Sequence, residues 1–264
     1  MLNAITPVIL TYNEAPNIER TLEKLTWASQ IVVVDSYSTD DTLEKVKAYP
    51  QVKAFHREFD THAAQWNYGL AQVSTGWVLS LDADYVLSDE LIEELTHLAL
   101  STSPSLEHSE QLKEIVGYFV RFRYCVMGKP LKGSILPPRQ VLFKRDCACY
   151  IDDGHTQLLS VKGVSATLER PIFHDDRKPL SRWIWAQERY MVLEAQKLLH
   201  TSNASLSFGD KLRKRKVVAP FVVFLYCLFL RGGIFDGWRG CYYAFQRMFA
   251  ETLLSLKLIE LSEK

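Results

Sequence analysis

Between residues 5 and 81 four short apolar runs recur, and the segments between them carry their apolar residues at helical spacing. Ile5 to Leu10 reads as a buried strand. Pro16 then suits the first turn of a helix in which Ile18, Leu22 and Leu25 repeat with helical period. Ile31 to Val34 predicts a second strand, followed by a polar turn and a helix beginning near Thr39, with Asp40 and Asp41 in its first turn. Val52 to Phe55 and Trp77 to Leu81 predict the third and fourth strands, with a helix over His62 to Gln72 between them, and Ser88 can cap a helix carrying Leu91, Leu95 and Leu98. Strands that are apolar without alternation are covered on both faces. The expected class is therefore α/β, a mostly parallel Rossmann-like central sheet with helices on both faces.

In such sheets ligands bind beyond the carboxyl ends of the strands, and the polar residues fall there. Thr11-Tyr12-Asn13-Glu14 follows the first run, Asp35 the second and Asp82-Ala83-Asp84 the fourth, so three acidic clusters converge on one rim. Two carboxylates at a strand end can ligate Mg²⁺ or Mn²⁺, hard cations that keep waters and substrate phosphates in their shell and offset charge on a departing diphosphate. Further on, 105 to 114 is polar and loop-like, Ile115 to Tyr124 alternates with Arg121 and Arg123 on one face, Gln140 to Lys144 is a strand candidate, and Leu180 to Leu199 is a long amphipathic helix.

The ordered set Thr11-Tyr12-Asn13-Glu14, Val32 to Thr42, Gln65 to Ala71 and Leu81 to Asp84 resembles the motifs of family 2 glycosyltransferases with the GT-A fold, closest to the short bacterial subgroup that adds sugars to the lipopolysaccharide core, the beta-1,4-glucosyltransferase type. The resemblance is strong over 4 to 90, moderate over 115 to 200 and loose beyond. It implies a catalytic domain over 1–205, with a nucleotide-sugar half (1–100) and an acceptor half (115–205). It also implies residue roles around a UDP-sugar. Thr11, Tyr12 and Glu14 line the nucleotide pocket, and Asp35 accepts a hydrogen bond from uracil. Gln65 and Asn67 lie beside base and diphosphate, Asp82 approaches ribose and metal water, Ala83 belongs to the same nucleotide-sugar set, and Asp84 is on the metal.

Inverting transfer needs a carboxylate that takes the acceptor hydroxyl's proton as its oxygen attacks the anomeric carbon. The candidate stretch is Tyr150 to Thr156. The resembling subgroup commonly closes it with His-Glu, whereas here His155 is followed by Thr156 and Gln157. Asp153, beside Gly154, is the preferred base, with Asp152 and His155 behind it. His174 is a candidate late metal ligand or diphosphate contact, the alternative being a loop histidine paired with Asp175. Arg139 and Arg182 are candidate phosphate or acceptor contacts. Arg182-Trp183 occurs without the full Q-x-x-R-W of processive members, which favours single addition.

Equal totals of 31 basic and 31 acidic residues conceal a split, net −6 over 1–210 and net +6 over 211–264. A uniformly basic nucleic-acid binder is excluded. The five cysteines form no C-x-x-C pair, and the start of the chain shows no signal-peptide pattern, which fits a reducing, cytoplasmic setting. In 206–264, five cations over Lys211 to Lys216 precede the uncharged run Val217 to Leu230, too short for a crossing, and then aromatics interleaved with Arg231, Arg239 and Arg247. Two amphipathic helices in the plane of an anionic membrane surface, engaged over 211–249, are expected. A buried hairpin or a homo-oligomer contact through these helices is the alternative. The expected activity is metal-dependent, inverting transfer from a UDP-sugar to a glycan or lipid-linked acceptor of the cell envelope. That reaction is expected at the inner membrane face, with a nucleotidyltransferase or an inert membrane-bound scaffold as rivals.

Overall fold

The computed structural model describes residues 2–101, 114–153 and 156–263. In chain order they form β1 (Ile5–Thr11), α1 (Ile18–Glu23), β2 (Ile31–Asp35), α2 (Thr42–Lys47), β3 (Val52–His56), α3 (His62–Ala71), β4 (Trp77–Asp82), β5 (Tyr85–Leu87) and α4 (Asp89–Ser101). They continue with β6 (Ile115–Val126), β7 (Lys129–Pro130), β8 (Arg139–Lys144), β9 (Ala148–Asp153), β10 (Thr156–Val161) and β11 (Val164–His174). The last elements are α5 (Leu180–His200), α6 (Phe208–Lys214), α7 (Val218–Leu225), a π-helical turn over Tyr226–Leu230, a 3₁₀ turn over Gly233–Asp236 and α8 (Trp238–Ser262).

Chain contacts divide these elements into two compact units, Met1–Arg123 with Leu136–Arg177, and Tyr124–Ile135 with Lys178–Lys264. In the first, the main sheet runs β3-β2-β1-β4-β8-β6-β11-β5. The expected parallel arrangement holds for its first half, where Val8 pairs with Val32 and with Ser80, and Ile31 with Val52. The second half departs from it: β8 runs antiparallel to β4 and β6, and β5 antiparallel to β11, so the sheet is mixed. β9 and β10 form a separate antiparallel hairpin.

Successive strand residues point to opposite faces, and both faces of β1, β2 and β4 are covered. Ile5, Ile9, Ile31, Val33, Leu79 and Leu81 pack with Leu22 of α1 and Leu91 and Leu95 of α4. Val8, Val32, Val34 and Val78 pack with Ala63, Trp66 and Leu70 of α3. Ser88 caps α4 as expected, its hydroxyl accepting from the Leu91 N–H at 3.1 Å. α2 begins at Thr42 instead of Thr39, because Asp40 turns its carboxylate to the Thr42 N–H and hydroxyl and to the Ala15 N–H.

The second unit has two cores. Ala195 and Leu198 of α5 pack with Leu206, Leu254 and Leu258, which places α5 with the C-terminal helices. Val126 and Leu131 pack with Cys227, Tyr243 and Ala244. Close backbone approach fixes this second cluster: a Cβ on Gly240 would lie 1.8 Å from the Gly233 carbonyl oxygen, and one on Gly133 would lie 2.7 Å from the Gly233 nitrogen. Asp236 accepts from the Lys132 and Gly133 N–H groups at 3.1 and 2.9 Å.

Candidate active site

Parallel pairing of β1 with β2 and β4 brings Thr11, Asp35 and Asp82 to the same end of the sheet. There the loops after β1 and β2 are stitched together. The Asn13 N–H donates to Ser38 at 2.8 Å, Thr39 N–H to the Asn13 side chain at 2.8 Å, and Glu14 N–H to Thr42 at 2.7 Å. Asn13 and Tyr37 hold φ of 55° and 59°, so both loops turn through the left-handed region at non-glycine residues. Asp35 is wholly buried and accepts from the Thr11 hydroxyl (2.9 Å), the Ser38 N–H (2.8 Å) and the Ser38 hydroxyl (2.6 Å). The groups presented to solvent beside it are Tyr12, Tyr37 and His56; the Tyr37 and His56 rings stack 5.8 Å apart, and His56 Nδ1 lies 3.8 Å from Asp35.

Asn17 links this loop pair to the segment after β11. Buried to 1 % exposure, it donates to Glu14 (2.8 Å) and Asp176 (2.9 Å) and accepts from the Arg177 N–H (2.8 Å) and Arg20 (3.0 Å). α1 also reaches the acidic turn after β4, where the Thr21 hydroxyl donates to the Ala83 carbonyl at 2.7 Å.

The D-x-D turn is closed by β5 and β11. Their register sets His174 opposite Tyr85, and His174 Nε2 lies 3.1 Å from Asp84 Oδ2. Asp175 is held by Arg20 and Arg177, and the histidine pairs with Asp84. Burial works against protonation of His174, but the Asp84 carboxylate outweighs it and the pKa is raised. Arg139 of β8 donates to the Tyr85 hydroxyl at 2.6 Å and lies over the Phe122 ring. Burial first, then the Asp82 and Asp84 carboxylates, push the Tyr85 phenol well above its ordinary pKa. Tyr85 thus bridges Arg139 and the acidic turn, a role that a lone tyrosine after D-x-D does not announce in sequence.

α3 faces the β9–β10 hairpin. Asn67 donates to the Tyr150 carbonyl (2.8 Å) and accepts from the Tyr150 N–H (2.9 Å), and Trp66 stacks on the Tyr150 ring. Gln65, also buried, donates to Ser36 and accepts from Arg57. Beyond Tyr150 the exposed Asp152 lies 3.4 Å from the Thr61 hydroxyl, next to His62, whose pKa is lowered by burial against the pull of Asp82 and Asp152. Asp153 is described only by its main chain, paired with Thr156, and His155 lies outside the described residues. Arg182 belongs to the second unit, where its guanidinium lies 4.2 Å from the Trp185 ring.

Among the described residues no three His, Cys, Asp or Glu side chains are grouped to hold a metal ion. Asp84 and His174 nevertheless supply an oxygen and a nitrogen donor side by side. The Asp84 carboxylate suits a Mg²⁺ or Mn²⁺ shell, in which one or two protein carboxylates suffice and diphosphate and water complete the rest, and His174 is the group beside it.

Residues 6–128 match the Glycosyl transferase family 2. The lipopolysaccharide core biosynthesis glycosyltransferase LpsC of Rhizobium meliloti is 24% identical over 253 residues, covering 90% of this chain and 87% of that protein. An uncharacterized glycosyltransferase of Rickettsia typhi is 28% identical over 118 residues, 44% of this chain; the match spans 40% of that relative's length. The mannosyltransferase PcManGT of Pyrobaculum calidifontis, solved with GDP-Man and Mn²⁺, superposes with a TM-score of 0.51 at 15% identity, covering 99% of this chain and 86% of its own. With the mixed sheet and the acidic turn closed by β11, these likenesses show a GT-A fold and a similarity of residues 6–128 to the glycosyl transferase family 2.

Proposed function

We propose that the chain is an inverting glycosyltransferase that moves a sugar from a UDP-sugar to a hydroxyl of a glycan or lipid-linked acceptor. The acceptor belongs to the lipopolysaccharide core or a related envelope polysaccharide, and transfer occurs at the inner face of the cell membrane. The single observation that carries the reading is the Asp84–His174 pair at the end of the sheet, joined through Tyr85 to Arg139. Asp84 and His174 would hold Mn²⁺ or Mg²⁺, which when bound offsets the charge of the departing diphosphate. Arg139 supplies a cation to phosphate or acceptor on the same rim, and Arg182 is assigned the same kind of contact. Thr11, Tyr12, Glu14 and Asp35 form the nucleotide pocket, with the Tyr37 and His56 rings offering a stacking face beside it. Gln65 and Asn67 shape its floor and the hairpin facing it.

In the transfer step the acceptor oxygen bonds to the anomeric carbon, the carbon–oxygen bond to the diphosphate breaks, and the acceptor proton passes to a carboxylate. Asp153 is assigned that proton, with Asp152 and His155 as the other candidates in the same hairpin. The test measures UDP release from a panel of UDP-sugars with Mn²⁺ or Mg²⁺, with and without a bacterial lipid extract, and includes GDP-mannose as a separate arm. The expected result is lipid-stimulated release from one UDP-sugar that Asp84→Asn abolishes while the fold is kept. Unchanged turnover in Asp84→Asn would sink the metal assignment, and turnover of GDP-mannose alone would overturn the donor.

A further inference from the structure

α7 is apolar on every side. Its inner positions, Ala219, Val223 and Phe224, together with Cys227, pack within the second unit, some of them against Tyr243 and Ala244. Its outer positions, Phe221 and Leu225, continue through the π turn to Phe229 and Leu230 and on to Phe235, all exposed; Leu230 and Phe235 are 80% and 82% so. A helix that is hydrophobic all round is covered on both sides in its working state. No helix among the described residues is long and apolar enough to cross a membrane, so the cover lies along this face and the helix does not span.

Charge selects the cover. From 211 to 239 the chain has seven Lys and Arg side chains, of which Arg213 is held by Asp210, Glu194 and Glu251, and one carboxylate, Asp236, which is turned inward to the Lys132 and Gly133 N–H groups. A second copy docking through the same patch would set these cations against their equivalents. Anionic lipid headgroups are the complement. We infer that the face formed by residues 211–239 docks on an anionic bilayer surface. Leu230 and Phe235 enter the boundary between headgroups and acyl chains, and Lys211 and Arg215 meet lipid phosphates. This inference rests on the membrane part of the proposal above and assigns it to named residues.

The test floats the full chain with vesicles of phosphatidylcholine alone and of equimolar phosphatidylcholine and phosphatidylglycerol, at low and high salt. Binding is expected to the anionic vesicles and to weaken with salt. The double variant Leu230→Asn, Phe235→Asn is expected to bind roughly tenfold or more weakly. Lys211→Gln with Arg215→Gln should remove most of the salt dependence. Because all four side chains are outside the packed cores, thermal unfolding should match the parent in each variant, which separates lost docking from lost fold. Equal binding to both vesicle types, or none to the anionic ones, would overturn the inference. So would a dimer in sedimentation that Phe235→Asn dissociates. Vesicle binding without UDP release from any donor would count against glycosyl transfer and leave the docking face standing.

Discussion

The Asn67 carboxamide gives a sharp test of how the proposed base-bearing hairpin is held. It joins α3 to the main chain of Tyr150 by one donated and one accepted hydrogen bond, of 2.8 and 2.9 Å. Asn67→Ala removes both, at about 0.5–1.5 kcal/mol each, and leaves the Tyr150 N–H and carbonyl short of a partner in a part-buried place, so the expected loss is about 2–3 kcal/mol. At roughly 2–4 °C per kcal/mol for a unit of this size, the first unit should melt about 4–12 °C lower. Since the hairpin also carries Asp152 and Asp153, transfer rate should fall more than UDP affinity, because the lost clamp loosens the acid–base side and spares the nucleotide loops. Differential scanning calorimetry gives the first quantity, and initial rates beside UDP titration calorimetry give the second. A stability loss below about 0.5 kcal/mol, within the range of an ordinary surface change, together with clearly weakened UDP binding, would refute the clamp and put Asn67 in contact with the donor.

Tyr85→Phe should keep the fold and lower transfer, since Arg139 loses the hydroxyl that ties it to the acidic turn; Arg139→Lys at full activity would argue against that tie. Desolvation raises the Asp40 pKa, but hydrogen bonds from Thr42 and Ala15 outweigh it and leave the value lowered from 3.8. Its stabilising contribution is therefore present above the ordinary carboxylate range and is lost as the pH falls through the lowered value. Acid unfolding should be steeper for the parent chain than for Asp40→Asn, as followed by circular dichroism, and identical profiles would contradict the assignment. Gly240→Ala should destabilise the second unit by about 3 kcal/mol or more, because its Cβ meets backbone that cannot move aside alone. Calorimetry should then show that loss in the second unit's transition while the first unit's is kept.

The first hundred residues are readable because their signals are local. Runs such as Ile31 to Val34 are buried on both faces, and the Ser88 cap needs only three residues of context. β11 was not readable for the opposite reason: Glu169, Arg170 and Pro171 break any alternation, and the strand exists through its long-range pairing with β5. That pairing is also what turns His174 from a loop residue into a partner of Asp84. Asp35 was legible as a strand end, whereas its capture by Thr11 and Ser38 depends on a turn at Tyr37 that sequence does not reveal. Tyr85, Asn17 and Thr21 carry no local signal, because each acts on a neighbour far away in sequence.

The glycine contact that joins residue 133 to 233 and 240 also constrains the order in which the protein can be made. Tyr124, Val126 and Leu131 leave the ribosome about a hundred residues before the chain that covers them, Cys227 to Ala244. Since domains tend to fold as their last contacting segment emerges, the first unit can close while this hairpin still waits with its apolar side bare. A shortened chain ending near residue 210 would keep that state permanently, so its poor solubility would report an uncovered hairpin and say nothing of lipid.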